Sequence, residues 1–203
     1  MKIWKWAVCA MALTLSPNIA DAQKAAVKTN IVGWATTTPN IGIEFGPSRK
    51  STIQLFGALN PWEFGDTRFR FWSVMPEYRY WFCERFSGHF IGIHALGGQY
   101  NLRNVKVPLT NLPDLTGENK GRHVEGWYVG CGITYGYQWM LSEHWNFEAS
   151  IGVGYAYSPY KYYGRCDRLL DKDGNTLPAG TKRTGVCHYI GPTKLAASIM
   201  YVF

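Results

Sequence analysis

Between Glu125 and Tyr157 the chain alternates more strictly than anywhere else, and this restricts the fold to few choices. Trp127, Val129, Cys131, Ile133, Tyr135, Tyr137 and Trp139 share one parity, against Tyr128, Gly130, Gly132, Thr134, Gly136 and Gln138 on the other. After a short polar turn, Phe147, Ala149, Ile151, Val153, Tyr155 and Tyr157 alternate with Glu148, Ser150, Gly152, Gly154, Ala156 and Ser158. Successive side chains of a strand point to opposite faces, so each strand carries one apolar face and one small or polar face. A soluble sandwich would put Lys, Glu or Thr on the second face. Glycine, alanine and serine suit instead the interior of a narrow closed sheet, where there is room for little else. Aromatics end the apolar rows, where a lipid-facing strand places its interfacial residues. The pattern therefore predicts an all-β fold, an eight-stranded antiparallel up-and-down transmembrane β-barrel.

The start of the chain fits an envelope destination. Lys2 and Lys5 precede an apolar stretch from Trp6 to Leu15, and Ala20-Asp21-Ala22 is a cleavage signal of the A-x-A kind. Residues 1–22 are read as a signal peptide. The stretch is too short to span a bilayer, and Cys9 inside it has no small-residue lipobox ahead of it. Residues 23–203 then form a single domain, with no later run approaching the roughly 18 apolar residues a membrane helix needs.

Strands are expected at Ala25 to Ala35, Pro39 to Gly46, Thr52 to Asn60, Arg70 to Cys83 and Gly88 to Arg103, followed by the two above and by His188 to Phe203. About ten residues tilted by about 40° cover an outer-membrane hydrocarbon band. Loop lengths give an independent check. Short turns are expected around Ser48, Phe86 and Ser142 and longer segments around Asp66, Pro113 and Gly174, as in barrels with short periplasmic turns and long external loops. Only the first external loop, Thr36 to Thr38, breaks the rule. Both termini are expected in the periplasm and the chain in a bacterial outer membrane. Tyr201 and Phe203 end an amphipathic last strand that resembles the assembly signal read by barrel-insertion machinery.

Lys28-Thr29-Asn30, Thr37-Thr38-Pro39-Asn40, Asn60-Pro61-Trp62, Pro76-Glu77, Arg79-Tyr80-Trp81-Phe82-Cys83, Gly88-His89-Phe90, Tyr135-Gly136-Tyr137-Gln138-Trp139, Gly152-Val153-Gly154-Tyr155 and Gly191-Pro192-Thr193-Lys194 span nearly the whole mature chain. In these stretches the chain resembles an uncharacterised family of Bacteroidetes outer-membrane barrel proteins, a domain of unknown function. The resemblance implies location and fold but no activity; some members are associated with fimbrial genes.

The inward parity collects Lys28, Asn30, Glu44, Gln54, Glu77, Arg79, His94, Gln138, Glu148 and Lys194. Isolated charges away from water are costly, so Lys28, Glu44, Glu77, Arg79, Glu148 and Lys194, with His94, are expected to form a lumen ion-pair network that fills the interior. The alternative is a proton or ion path. Small barrels can also be lipid-modifying enzymes, yet none of the five histidines has a Ser two residues on, and His123 with Glu125 has no nucleophile beside it. No catalytic residue, metal site or cofactor is expected. Cys166 and Cys187 bracket the last external loop, and a disulfide between them would clamp it. Cys83 and Cys131 fall on opposite parities and are read as free. Residues 169–177 contain Asp173-Gly174, a turn step that would make a small hairpin of that loop.

Without Lys2, Lys5 and Asp21 the formal charge moves from +7 to +6. Part of it lies in the last external loop, where Lys161, Arg165, Arg168, Lys172, Lys182 and Arg183 outnumber Asp167, Asp171 and Asp173 and would attract lipid A phosphates or acidic glycans, the alternative being ordinary solvated loop charge. The expected partners are outer-membrane lipid and lipopolysaccharide, the barrel-assembly machinery and possible envelope or fimbrial proteins. Nucleic acid is not among them, and a monomer is expected. The leading functional expectation is a non-enzymatic structural or surface-interaction role through the external loops, with a lipid-modifying enzyme or a fimbrial or envelope subunit as rivals.

Overall fold

The computed structural model describes residues 25–107, 110, 112–116, 122–163 and 182–203. The expected signal peptide, Cys166 and the hairpin at 169–177 lie outside these residues. The described elements are β1 (Ala25–Asn30), α1 (Ile31–Ala35), β2 (Asn40–Ser48), β3 (Ser51–Asn60), β4 (Glu63–Phe64), β5 (Thr67–Trp81), β6 (Gly88–Arg103), β7 (His123–Met140), β8 (Trp145–Tyr163) and β9 (Lys182–Val202). Each long strand pairs antiparallel with its neighbours, and β3 skips the two-residue β4 to pair with β5. β1 closes the circle on β9, with Val27 opposite Tyr201. The result is a closed ring of eight strands, joined between β1 and β9 by the ladder of Ala26–Asn30 with Ser198–Val202, while the earlier part of β9 pairs with β8 alone.

The first strand is shorter than its alternation suggests. Asn30 ends it by capping α1: its side-chain oxygen accepts from the Val32 and Ala197 N–H groups, both at 3.1 Å, while its amide donates to the Leu195 carbonyl. A side chain that satisfies helix N–H groups competes with the ladder and wins locally. β5, β7, β8 and β9 run longer than expected at the end away from the short turns, while β3 and β6 end there as expected. β8 continues to Tyr163 and β9 begins at Lys182, directly opposite it. The backbone ladder needs no apolar side chains to persist, which is why hydropathy alone sets these limits too short. At the opposite end β5 stops at Trp81, so Cys83 lies in an exposed turn rather than on a strand face.

A bulge governs the last strand. Gly152 pairs with Lys194 and Val153 with Pro192, leaving Thr193 as an extra residue. The extra residue accommodates Pro192, which has no N–H to donate, and shifts the phase of the strand. Before it Val186, His188 and Ile190 face outward; after it Leu195, Ile199 and Phe203 do.

The faces are inverted relative to a water-soluble protein. Ile41, Ile53, Ile93, Ile133, Ile151 and Leu195 are each at least half exposed on the outside. Inside, Lys28, Glu44, Glu77, Arg79 and Glu148 are buried. No helix among the described residues is long and apolar enough to cross a membrane.

Candidate functional site

Alternation places one or two charged groups on the inner face of each of five strands, and the antiparallel register brings them to one level. Glu44 lies opposite Gln54, Gln54 opposite Glu77 and Glu77 opposite His94 across β2, β3, β5 and β6. Arg79 reaches from β5 into the centre of the ring. Its guanidinium donates to Glu44 at 3.1 Å, to Glu77 at 3.1 Å and to both oxygens of Glu148 at 2.8 and 3.0 Å. Lys28 from β1 bridges Glu44 at 2.9 Å and Glu148 at 2.8 Å, and Lys194 from β9 donates to Glu77. Three carboxylates thus meet three cations, and the set is neutral. A planar guanidinium serves three acids at once because its five donors spread in a fixed fork.

Neutral groups around the charges complete the hydrogen bonds of Glu44 and Glu148. Thr52 donates to Glu44 and in turn accepts from the Trp81 indole at 2.9 Å; Ser150 donates to Glu148. Among the described residues His94 forms no ion pair, contrary to the expectation that it joins the network. Its two ring nitrogens bond the hydroxyls of Thr134 and Thr193, both at 2.9 Å, the latter being the bulged residue. Thr52, Trp81, Phe90, Thr134 and Thr193 were not singled out by sequence, although Trp81 and Phe90 share the inward parity of Arg79 and His94.

Beneath the charges the ring is packed shut. Arg79 lies over the Phe90 ring at 4.4 Å, Phe90 packs on Trp81 at 4.8 Å, and Trp81 contacts Phe86 at 6.1 Å. The Phe82–Gly88 turn carries Phe86, with φ of +62°, across the end of the ring, where it joins Ala26, Met200 and Val202. A bulky residue rarely adopts positive φ, and the buried ring holds it there. Gly136 leaves the space that Phe90 fills, since a Cβ there would come within 2.6 Å of that ring.

Above the charges the ring is hollow. A cavity of about 330 Å³ rests on Lys28, Arg79, Glu148 and Lys194 and is walled by Gln54, Phe56, Phe71, Ser73, Met75 and Tyr128. A larger one of about 990 Å³ takes residues from β3, β5, β6, β7, β8 and β9, a span possible only inside the ring. Phe71 borders both. At the rim Leu115 folds inward against Leu102 and Val124.

Cys187 faces inward and is buried, while Cys83 and Cys131 are exposed; no disulfide joins any of the three. Tyr201 packs on Trp145, His144 and Phe203 on the outside near the short turns. His123 stacks on Tyr163 with its Nε2 4.0 Å from Glu125, and no Ser, Thr or Cys hydrogen-bonds to either among the described residues. No group of acidic, His and Cys side chains suited to a metal occurs among the described residues.

Asp114, in the segment between β6 and β7, is held at a pKa of about 2, chiefly by the Thr116 hydroxyl, then by the Thr116 N–H and Lys106. A depressed carboxylate stabilises this turn above its ordinary pKa near 4 and loses that contribution as pH falls through about 2. An NMR titration should therefore show the Thr116 amide shifting only below pH 4, and Asp114→Asn should remove most of the shift.

The fold and site together define a closed all-β ring, apolar outside, with a neutral charge network and a sealed end. The chain belongs to a family described as proteins of unknown function, DUF3575, whose sequence profile matches residues 7–203. No curated protein and no solved structure matches it.

Proposed function

We propose that this chain is a small β-barrel of a bacterial outer membrane, non-enzymatic and plugged, acting as a structural or surface-interaction protein through its external loops. One observation carries the reading: the exposed face is apolar and the buried face is charged. A contiguous apolar surface around a whole molecule has no counterpart in soluble monomers, whereas a barrel in lipid requires it.

The distribution along the strands supports it. Tyr137, Trp139 and Phe147 contact one another near the short turns, as do Tyr80 and Phe82; Trp127 and Tyr157 pair near the other end. From Trp127 to Tyr137 on β7 is ten residues. At about 3.4 Å per residue and a tilt of about 40°, that is about 26 Å, the height of an outer-membrane apolar band. Val129, Cys131, Ile133 and Tyr135 fill the interval.

The sealed end argues against a continuous ion path, and among the described residues no Ser, Thr or Cys hydrogen-bonds to His123 or Glu125. Lipopolysaccharide around the apolar belt and barrel-assembly machinery acting on Tyr201 and Phe203 remain part of the proposal, as does a monomeric state.

The test is migration in SDS. Closed rings resist the detergent until heated, so protein extracted from outer membranes should run faster unboiled than boiled. Release into the aqueous phase without detergent, with identical migration of both samples, refutes the barrel.

A further inference from the structure

We infer that the hollow half of the ring is a binding cup for a short neutral saccharide. The inference depends on the cavity and not on the membrane. It goes beyond the loops to which the proposed function assigns interaction.

Three observations carry it. The first is the posture of the tyrosines. Tyr100, Tyr128 and Tyr160 each lie against a glycine of a neighbouring strand. A Cβ on Gly126 would stand 2.6 Å from the Tyr100 hydroxyl, one on Gly98 would stand 2.8 Å from that of Tyr128, and one on Gly185 would strike the Tyr160 ring. Tyr100 and Tyr128 are also stacked, with centroids 6.3 Å apart and planes 30° apart. Tyr100 is pinned by its hydroxyl to Ser158 at 2.8 Å. Rings laid on the wall keep the centre open and present rigid faces to it. Such faces suit the C–H surface of a pyranose, and pinned rings lose little entropy on binding.

The second is unused hydrogen-bonding capacity. The Gln54 side chain lines the smaller cavity, and its oxygen is buried with no partner among the described residues. Burying an acceptor unpaired is costly, so the site favours a donor there. Across the cavity Lys194 has three donor hydrogens and one described partner, Glu77. A ligand meeting both must donate and accept, which is what vicinal hydroxyls do.

The third is charge. The six ionised groups of the floor cancel, and the inward-parity side chains lining the larger cavity (Asn60, Phe71, Tyr100 and Tyr160) carry no charge, although Arg70, Glu125 and Lys161 also border it. These three lie on the outward parity. Nothing in the cup selects an anion or a cation. Volumes of about 330 and 990 Å³ fall within the range of ligand pockets, and aromatic walls with few placed polar groups are their usual lining.

The experiment uses the full mature chain folded in detergent, with its compact unheated band verified first. Short neutral oligosaccharides of hexose and N-acetylhexosamine, a sugar phosphate and a planar aromatic carboxylate are titrated by calorimetry and saturation-transfer NMR. A neutral oligosaccharide should bind through its ring protons. Gln54→Leu, which keeps the volume and removes the acceptor, should weaken it about tenfold, the effect of one buried hydrogen bond. Tyr160→Ala at the rim should weaken it similarly, so the case does not depend on one variant folding. Silence from every neutral sugar in compactly running protein overturns the cup while leaving the barrel intact. Preference for the phosphate or the aromatic acid, or binding indifferent to both substitutions, overturns it equally.

Discussion

Replacing Arg79 by alanine should cost the fold about 3 to 5 kcal/mol, the range for removing one partner of a buried ion pair. Arg79 is fully buried and, among the described residues, is the only one bonded to all three carboxylates Glu44, Glu77 and Glu148. Without it three acids face two cations, Lys28 and Lys194, and one carboxylate loses its charge partner away from water. The loss of contact with the Phe90 face adds to the effect. The measurement is the temperature at which the unheated SDS band converts to the unfolded one, or the urea midpoint in detergent. Arg79→Lys should recover only part, because an ammonium cannot reach three acids with a planar fork. Arg79→Met with Glu148→Gln removes one charge of each sign and should be milder than Arg79→Ala. If Arg79→Ala matches the parent midpoint, the network contributes nothing to stability.

The parity of the strands made the inner charges readable. Glu44, Glu77, Arg79 and Glu148 fall at even spacing among small residues within otherwise apolar rows, so a period of two suffices to gather them. Lys194 was reachable the same way because it lies on the C-terminal side of the bulge, in phase with Ser198. The bulge itself was not legible. Pro192 hints at a ladder defect, but only the register of β9 against β8 shows that Thr193 is the extra residue and bonds His94. α1 was hidden for a different reason: Ile31, Val32 and Trp34 read equally well as strand, and the decision rests on the Asn30 side chain meeting β9, a contact distant in sequence.

The hollow half was the least legible part. Glycines at 98, 126 and 185 look like the small residues of a narrow, filled interior. What they do depends on the tyrosine rings of neighbouring strands, which take up the space at the wall and leave the centre empty. A single chain of alternating residues gives the facing of each side chain but not the direction in which a ring lies. Filled and hollow halves therefore share one sequence pattern, and the difference between them comes from Trp81, Phe86 and Phe90 converging at one end.

Trp81→Ala should be the second large effect, destabilising the ring by about 3 to 5 kcal/mol, as expected for a large aromatic truncated in a packed interior. Trp81 is fully buried between Phe90 and Phe86, and its indole N–H donates to Thr52, whose own hydroxyl donates to Glu44. The substitution therefore removes the packing of the floor and also frees the Thr52 hydroxyl that positions one acid of the network. Trp81→Phe separates these contributions: it keeps most of the volume and removes the donor, so its cost should approach the 1 to 3 kcal/mol of a lost buried hydrogen bond. Conductance in planar bilayers gives a second readout. Parent protein should pass no steady current because the Phe86, Trp81 and Phe90 floor closes the ring. Trp81→Ala, where it still folds, should show brief openings as water reaches the charges from both sides, and adding Phe86→Ala should lengthen them. A silent double variant with a compact unheated band would place the seal in the charge network rather than in the aromatic floor.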